Sequence, residues 1–238
     1  MRYALYRIHY GLDFLGKSIE SIEKHVDKIF VFWSKQPWYK ECKNLPPLNE
    51  NVSEFCKKYK KVTVFEREYD RPDRQFKMMY DEIIKYYPRP KQVLNMEPDM
   101  VWGNDITKIW DIKDKEISFK QIEFWKSEDW YVPRNQPRPG PTLWNGDVTD
   151  TMKGCWQNKH AIHPDYECYN YGFCVSPEVM NYRCEVLIQS SKYYKDSKPS
   201  PVWYKDKWLN WIPDTEDLEI SENYKHYIKK ALPWPYPR

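Results

Sequence analysis

The sequence lacks an apolar run long enough for a transmembrane helix. No apolar stretch approaches the ~20 residues that a membrane-spanning helix needs, and the mean hydropathy is −0.91. The first residues, Met1 to Leu5, lead directly into strand-like sequence without the apolar segment of a secretory signal. We therefore expect a cytoplasmic protein with no transmembrane segment.

A strong net charge and closely paired cysteines are also missing. The 38 basic and 35 acidic residues leave a net charge of only +3, which argues against an electrostatic nucleic-acid binder. The 6 cysteines lack the spacing of a zinc ribbon. One group is worth testing as a metal site: Cys168, Cys174 and Cys184 with His160 and His163. Buried free thiols in a reducing compartment are the alternative interpretation.

Aromatic residues, in contrast, are abundant. They make up 17% of the chain, including 12 Trp and 20 Tyr. Such side chains fill protein cores, and their flat faces with a polar edge also suit sugar rings and nucleobases.

The first hundred residues alternate between strand-like and helix-like patterns. Apolar or alternating runs predict strands at 3–9, 29–33, 61–66 and 92–96, while helical spacing predicts helices over 15–26, 52–59 and about 71–84. This alternation predicts an α/β fold, a mixed and mainly parallel sheet flanked by helices. The rest is predicted to be less regular, with a strand at 116–125, a proline-rich loop at 133–141, a short strand at 170–174, a helix at 177–190 and irregular segments at 196–211 and after 227.

The fourth strand ends in the triplet Glu97-Pro98-Asp99. Proline cannot donate to a sheet ladder, so the strand should end or turn outward there. Two carboxylates one residue apart, just past a strand end, can converge on one hard cation such as Mg²⁺ or Mn²⁺. Ligands of open α/β sheets also bind beyond the carboxyl ends of the strands. A solvated turn is the competing interpretation of the tripeptide.

The order of these parts resembles the GT-A class of nucleotide-sugar glycosyltransferases. The likeness rests on a first strand carrying Tyr6-Arg7-Ile8-His9, two α/β repeats, and an apolar strand that ends in an acid-x-acid triplet where that class has its DxD motif. Later, residues 169–180 resemble a segment of such enzymes in which an aromatic-Gly-aromatic run leads into PE-x-M. The similarity covers most of residues 1–185. It implies one GT-A-like domain over 1–238, with a nucleotide-sugar-binding half at 1–102 and an acceptor-side half at 103–238.

The resemblance implies a metal-dependent transfer of a sugar from a nucleotide donor, such as a UDP- or GDP-sugar, to a glycan or glycoconjugate. Mn²⁺ or Mg²⁺ would be held by Glu97 and Asp99, and Asn170 or His163 would supply a further ligand. Asn170 stands where some members of the class have a histidine. Glu97 has a longer reach than aspartate, which would leave Asp99 as the main ligand.

The resemblance also implies roles for residues around the metal. Tyr6 and His9, at the end of the first strand, would contact the nucleobase, although strand alternation sends Tyr6 and Arg7 to opposite faces. The basic residues Arg71, Arg74 and Lys77 would contact the diphosphate. Glu123 and Asp147 are the candidates for the general base of an inverting reaction. The tryptophans at 125, 130, 144 and 156 are candidates for an acceptor platform.

Two other functions stay open at this point. A nucleotidyltransferase also uses a carboxylate-held metal on an α/β sheet, but the isolated Gly11 and Gly16 argue against its glycine-rich phosphate loop. A non-catalytic carbohydrate- or nucleotide-binding module is the second alternative, because Glu97 and Asn170 depart from the motifs of the class.

Overall fold

The computed structural model describes residues 1–68, 75–103, 106–132, 138–146, 162–190, 201–212, 218–221, 224–226 and 229–230. Its strands are β1 Arg2–Ile8, β2 Lys28–Trp33, β3 Val62–Glu66, β4 Gln92–Met96, β5 Met100–Trp102, β6 Glu116–Trp125, β7 Ser127–Val132, β8 Arg138–Asn145, β9 Ile162–Phe173, β10 Leu218–Ser221, β11 Tyr224–His226 and β12 Lys229–Lys230. The α-helices are α1 Leu12–Ile22, α2 Val52–Cys56, α3 Gln75–Ile83, α4 Ile106–Ile109, α5 Pro177–Gln189 and α6 Pro201–Asn210. Short 3-10 turns cover Glu23–His25 and Lys40–Cys42.

Ten of the described strands form one mixed sheet in the order β12-β7-β6-β8-β4-β1-β2-β3, with β9 pairing to both β5 and β6. Strands β3, β2, β1 and β4 run parallel to one another. Antiparallel β8 joins this parallel part to the later strands, because it pairs with β4 on one side and with β6 on the other. The predicted α/β architecture with a mixed sheet flanked by helices is confirmed.

Strand β1 is central and buried on both faces. Ala4, Tyr6 and Ile8 pack with α1 on one face, whereas Tyr3 and Leu5 pack with α3 on the other. The helices cover the two faces because parallel strands require crossover connections. The register Tyr6 to Met96 brings the carboxyl ends of β1 and β4 side by side.

Two segments of the second half are more regular than predicted. The proline-rich stretch predicted as a loop contains β8 from Arg138 onward, and the irregular 196–211 region contains α6. Pro139 and Pro141 fit in β8 because its pairing with β4 begins only at Thr142 and its pairing with β6 shifts register between Thr142 and Pro139. The short strand predicted at 170–174 is the end of the longer β9.

No helix among the described residues is long and apolar enough to cross a membrane. The division into a donor-side and an acceptor-side half stays a prediction, although β4 of the first half and β8 of the second pair directly.

Tyr6 belongs to the core and not to a ligand site. It is completely buried, and its hydroxyl lies 2.9 Å from Ser18 Oγ on α1. The Ser18 hydroxyl donates to the Met100 carbonyl, so Tyr6 is the donor and Ser18 the acceptor between them. The predicted contact of Tyr6 with a nucleobase is therefore corrected: the side chain points into the α1 face of the sheet.

Replacing Tyr6 by phenylalanine should lower the free energy of unfolding by about 1 kcal/mol, because one buried hydrogen bond is lost while the ring still packs. Urea denaturation measures this change. The matched control is Tyr86→Phe, since Tyr86 is exposed and its hydroxyl should contribute little. Equal stability of the Tyr6→Phe protein and the wild type would contradict the assignment.

Candidate functional site

A cavity of about 150 Å³ lies at the carboxyl ends of β1 and β4. Strand ends, the loop after β2, and helices α1 and α5 contribute its walls, which are formed by Arg7, His9, Tyr10, Gly11, Phe14, Trp38, Glu97, Pro98, Asp99, Met100, Glu123, Asn170, Val175, Val179 and Arg183. The cavity therefore lies where ligands bind in open α/β sheets. It contains four of the predicted site residues besides His9: Glu97, Asp99, Glu123 and Asn170.

Arg7 and Glu97 form an ion pair in the wall of the cavity. Arg7 Nη2 and Nε lie 2.7 and 3.1 Å from Glu97 Oε1, and the side chains are only 8% and 17% exposed. The guanidinium carbon lies 5.0 Å from the ring centres of both Trp38 and Phe76. Arg7 Nη1 also donates to Gln75 Oε1 over 3.3 Å. Charge, ring contacts and hydrogen bonds thus hold Arg7 and Glu97 in fixed positions.

Asp99 and Asn170 converge at Gly172 of β9. A Cβ atom on Gly172 would lie 2.6 Å from Asp99 Oδ2 and 2.9 Å from Asn170 Oδ1, so no other residue fits without displacing them. The same point is 3.0 Å from Arg183 Nη1, which donates to the Gly172 carbonyl over 2.7 Å. Asn170 Oδ1 itself accepts from Gly172 N over 2.8 Å. Two side-chain oxygens and one guanidinium group therefore lie close together in the space that a side chain at Gly172 would occupy.

Glu123 brings a third carboxylate to the cavity. It is only 3% exposed, and its strand β6 pairs with β9 so that Glu123 lies opposite Asn170. Gln121 Nε2 lies 3.3 Å from Glu123 Oε1 and donates to it. A buried carboxylate in a cavity wall is suited to accept a proton from a bound hydroxyl group.

His9 is held as a neutral ring. Its Nδ1 lies 2.8 Å from the Ser34 carbonyl oxygen and its Nε2 lies 2.8 Å from the Tyr182 hydroxyl. A carbonyl only accepts, so Nδ1 carries the hydrogen and Nε2 accepts from Tyr182. Burial lowers the pKa of His9, although the bond to Ser34 opposes this shift. His9 lines the cavity as predicted, with both of its nitrogens already bonded to protein atoms.

The N-terminus of α1 is occupied by a carboxylate of the chain itself. Gly11 N and Leu12 N donate to the Glu50 carboxylate over 2.9 and 3.2 Å. Gly11 has a φ of 114°, a conformation that favours glycine. Helix N-terminal amides are the usual site for a phosphate group, and Glu50 fills that position at α1.

Other predicted residues lie outside the cavity or outside the described residues. Lys77 pairs with Asp81 over 2.6 Å on α3 and does not line the cavity. His163 packs on Tyr166, with ring centres 4.5 Å apart. His163 lies opposite Phe119 of β6 and Asn170 opposite Glu123. These positions are roughly 13 Å apart along β6, so His163 is not a ligand at this site. Arg71, Arg74 and Asp147 lie outside the described residues.

Neither the cysteine group considered as a metal site nor the predicted tryptophan platform is formed by the described residues. Cys168 is a buried free thiol whose pKa is raised, mainly by burial. Among the described residues, no group of three or more His, Cys, Asp or Glu side chains is placed to hold a metal. Trp125 and Trp144 are core residues that pack against other aromatic rings. His160 and Trp156 lie outside the described part.

Arg183 and Trp38 line the cavity without having been predicted. Arg183 follows Val179 by four residues on α5, so the two share a helix face and both line the cavity. This spacing could have predicted Arg183 once the helix at 177–190 was assigned. Trp38 lies in a loop between elements, where no periodic pattern indicates its direction. Glu50, which caps α1 from a distance of 38 residues in sequence, gave no local signal either.

A divalent metal fits the oxygen atoms of this site in part. Asp99 and Asn170 present the hard oxygen ligands that Mg²⁺ and Mn²⁺ prefer, and Mg²⁺ is often held by one or two carboxylates plus substrate phosphates. Glu97 is engaged by Arg7 instead. The described lining has two guanidinium groups and three carboxylates, which leaves one formal negative charge. A diphosphate would therefore gain from an added cation.

Comparisons with known proteins find similar structures but no similar sequence. No protein-family model and no curated protein matches the chain. The chain is similar to HddC from Yersinia pseudotuberculosis, at 11% identity and a TM-score of 0.44 over 78% of this chain and 99% of that one. It is also similar to the inositol-1-phosphate CTP transferase from T. maritima, at 10% identity and a TM-score of 0.44 over 81% and 97%. A third is the glycosyltransferase GlyE of Streptococcus pneumoniae, at 13% identity and a TM-score of 0.32 over 60% and 33%.

The similar solved structures thus include glycosyltransferases and nucleotidyltransferases. None of these likenesses assigns a role to a residue of this chain.

The lowered pKa of His9 predicts a pH dependence of stability. The unfolded chain takes up a proton near the ordinary pKa of about 6.5, whereas native His9 takes one up only at lower pH. The unfolded state therefore binds more protons below that pH. As a result, the contribution of His9 to the free energy of unfolding falls as the pH falls. NMR titration of the ring, assigned with a His9→Asn variant, should give a midpoint below 6.5. A midpoint at or above 6.5 would refute the buried neutral ring.

Breaking the Arg7–Glu97 pair should be costly. In Glu97→Leu a nearly buried guanidinium loses its carboxylate, and we expect the free energy of unfolding to fall by about 3 kcal/mol. Glu54→Leu is the control, because Glu54 and Lys57 form an exposed pair that should contribute little. Urea denaturation of both variants measures the difference. Similar losses in the two would show that Glu97 is not a structural partner of Arg7.

Proposed function

We propose that this protein is a glycosyltransferase that binds a nucleotide sugar in the cavity between β1, β4 and β9 and transfers the sugar to a hydroxyl group of a glycan or glycoconjugate. The observation that carries the proposal is the meeting of Asp99, Asn170 and Glu123 at the carboxyl ends of the strands. A sugar transfer needs charge stabilisation for a departing diphosphate and a proton acceptor for the attacking hydroxyl. The cavity has residues suited to both tasks.

In this reaction the acceptor oxygen attacks the anomeric carbon of the donor. The bond between that carbon and the diphosphate oxygen breaks, and the electron pair leaves with the nucleoside diphosphate. In an inverting reaction the hydroxyl proton passes to a carboxylate, for which Glu123 is suited by its place in the cavity wall. Asp147 is the other candidate from the sequence and lies outside the described residues.

Asp99, with Asn170 beside it, would hold Mn²⁺ or Mg²⁺. When bound, such an ion supplies positive charge to the diphosphate oxygens. The chain's own cationic groups at this place are Arg183, beside Asp99, and Arg7, beside Glu97. Arg183 is bonded to the Gly172 carbonyl and is therefore held where it can orient a phosphate group. The neighbouring rings of His9 and Trp38, both in the cavity lining, provide flat faces for a nucleobase.

The position of Glu50 disfavours the nucleotidyltransferase alternative. A phosphate loop after β1 would need the amides at the start of α1, but Gly11 and Leu12 donate theirs to Glu50. A second anion at the same amides would meet the negative charge of that carboxylate. The diphosphate is therefore expected on the Asp99 side of the cavity.

Asp99→Ala should abolish metal-dependent binding of a nucleoside diphosphate while the fold is kept. The reason is that Asp99 Oδ2 and Asn170 Oδ1 are the two side-chain oxygens nearest to the Cβ position of Gly172. Calorimetric titration with UDP and GDP, in Mn²⁺ and then in EDTA, measures the effect. Glu97→Gln is the matched variant, and it should reduce affinity less, because Glu97 is paired with Arg7.

Each outcome of that titration has a distinct meaning. Binding that needs Mn²⁺ and is lost in Asp99→Ala supports the enzyme, and transfer to a glycan acceptor from the bound nucleotide sugar completes the test. If the affinity is the same with and without Mn²⁺, and the same in wild type and Asp99→Ala, the result would indicate a non-catalytic module. If neither nucleotide binds, the proposed function is wrong.

A further inference from the structure

The amino ends of the four parallel strands form one edge of the sheet, at the end away from the cavity. Arg2 of β1 pairs with Gln92 of β4, and Asp27 N, just before β2, donates to the Arg2 carbonyl over 2.9 Å. Ile29 N of β2 donates to the Lys61 carbonyl over 3.0 Å, just before β3. The starts of β3, β2, β1 and β4 therefore lie side by side, about 4.8 Å apart.

This edge is strongly basic. Its segments are 1–2, 23–28, 57–62 and 84–92, which lead into β1, β2, β3 and β4 and which we call the basic rim. They contain 10 basic and 2 acidic residues, a formal charge of +8, whereas the whole chain carries only +3. The basic residues are Arg2, Lys24, Lys28, Lys57, Lys58, Lys60, Lys61, Lys85, Arg89 and Lys91, and the acidic ones are Glu23 and Asp27.

The positive charge ends where the parallel strands end. Asn145 N, at the end of β8, donates to the Lys115 carbonyl over 2.9 Å, which places segment 110–116 further along the same edge. That segment contains 2 basic and 3 acidic residues. The basic rim is therefore a strip four strands wide, roughly 15 Å.

Several cations of the rim extend into water. Lys58, Lys60 and Lys91 are exposed. Lys57 and Lys85 are exposed as well, but they pair with acidic residues of the helices before them. Exposed ion pairs of this kind are weak, so most of the positive charge is available to a partner.

His25 lies within the positive potential of the rim. Its pKa is lowered, first by burial and then by the charges of Lys24, Lys61 and Arg2. These three cations come from the segments before β2, β3 and β1. Neighbouring segments of the rim thus contribute their charges to one common region.

Two exposed apolar side chains lie among these cations. Met1 is 45% exposed and Tyr86 is 67% exposed. Lys91 N donates to the Met1 carbonyl over 2.8 Å, and Tyr86 directly follows Lys85. Single exposed apolar residues are common on proteins. A tyrosine ring with a polar tip beside lysines is, however, the combination that suits the interface between lipid headgroups and acyl chains.

We propose that the basic rim binds the surface of a membrane that contains anionic phospholipids. The cations would lie against the negative headgroups, while Met1 and Tyr86 would enter the boundary between headgroups and acyl chains. A nucleic acid would also attract the cations, but its surface offers no apolar layer to these two side chains. The membrane surface therefore fits both features of the rim.

Binding at the rim would leave the cavity accessible. Strand β1 runs from Arg2 at the rim to Ile8, beside His9 of the cavity wall, a distance of roughly 20 Å. The cavity would then face the aqueous side. The inference does not depend on the proposed sugar transfer, because no residue of the cavity takes part in it.

Vesicle sedimentation with the full chain tests the inference. Wild type should bind vesicles of phosphatidylcholine with about 30% phosphatidylglycerol and should not bind pure phosphatidylcholine vesicles. Raising the salt concentration from about 0.1 M to about 1 M should release the protein, because screening shortens the range of the charges from about 10 Å to about 3 Å.

A triple variant, Lys58→Gln, Lys60→Gln and Lys91→Gln, should lower the partition coefficient on anionic vesicles about 100-fold. The matched control is Lys17→Gln, Lys35→Gln and Lys207→Gln, since these lysines are also exposed but lie outside the rim. The control has the same net charge and should stay within about threefold of wild type. Circular dichroism checks that both proteins are folded.

Tyr86→Ser tests the apolar part of the contact. Removing the ring should lower the partition coefficient about fivefold, because less apolar surface enters the membrane interface. Leu209→Ser is the control, since Leu209 is 49% exposed on α6, away from the rim. It should leave the partition coefficient unchanged.

Three results would overturn the inference. The first is a wild type that does not bind anionic vesicles at low salt, and this result needs no variant. The second is an equal loss in the rim variant and its control, which would show that net charge alone causes binding. The third is binding to a single-stranded RNA of about 20 nucleotides at about 0.15 M salt without binding to vesicles, which would make the rim a nucleic-acid surface instead.

Discussion

A guanidinium group that is nearly shielded from water must keep a carboxylate beside it, and the ends of β1 and β4 are arranged around this requirement. Arg7 lies on β1 and Glu97 directly follows β4, a parallel neighbour whose register with β1 runs from Arg2 and Gln92 to Tyr6 and Met96. Aromatic rings from the loop after β2 and from α3 cover the guanidinium. One ion pair therefore ties two strands, a loop and a helix together. The direction of the chain through Pro98 to Asp99 follows from where Glu97 is fixed.

The two faces of the sheet give the cavity two different walls. On the α1 and α5 side, Asp99 and Asn170 approach each other because Gly172 has no side chain. Glu123 lies on that same side, opposite Asn170, whereas the Arg7–Glu97 pair forms the wall on the α3 side. The proposed nucleotide-sugar donor would place its diphosphate beside Asp99 and Arg183, and the acceptor hydroxyl beside Glu123.

The sequence was informative where structure depends on local spacing. Helix α5 was predicted at 177–190 and is observed at Pro177–Gln189, because Ser176, Pro177 and an acidic first turn mark its start. The alternation of strands and helices likewise predicted the parallel part of the sheet. The position of Asp99 just past the end of a predicted strand indicated that it lies at the ligand-binding edge. The rest depended on contacts distant in the sequence. Arg183 and Trp38 reach the cavity through tertiary packing. Strand β8 was not predicted because its prolines are typical of a loop.

The carboxylate of Glu50 gives the fold an internal substitute for a bound anion. Its place against the amides of Gly11 and Leu12 is the place where related architectures would receive a phosphate, so the chain has closed that site with one of its own side chains. In evolutionary terms, the loss of a single acidic group at position 50 would uncover two amide donors next to an existing cavity. This one side chain therefore decides whether the amides at the start of α1 can bind an external anion.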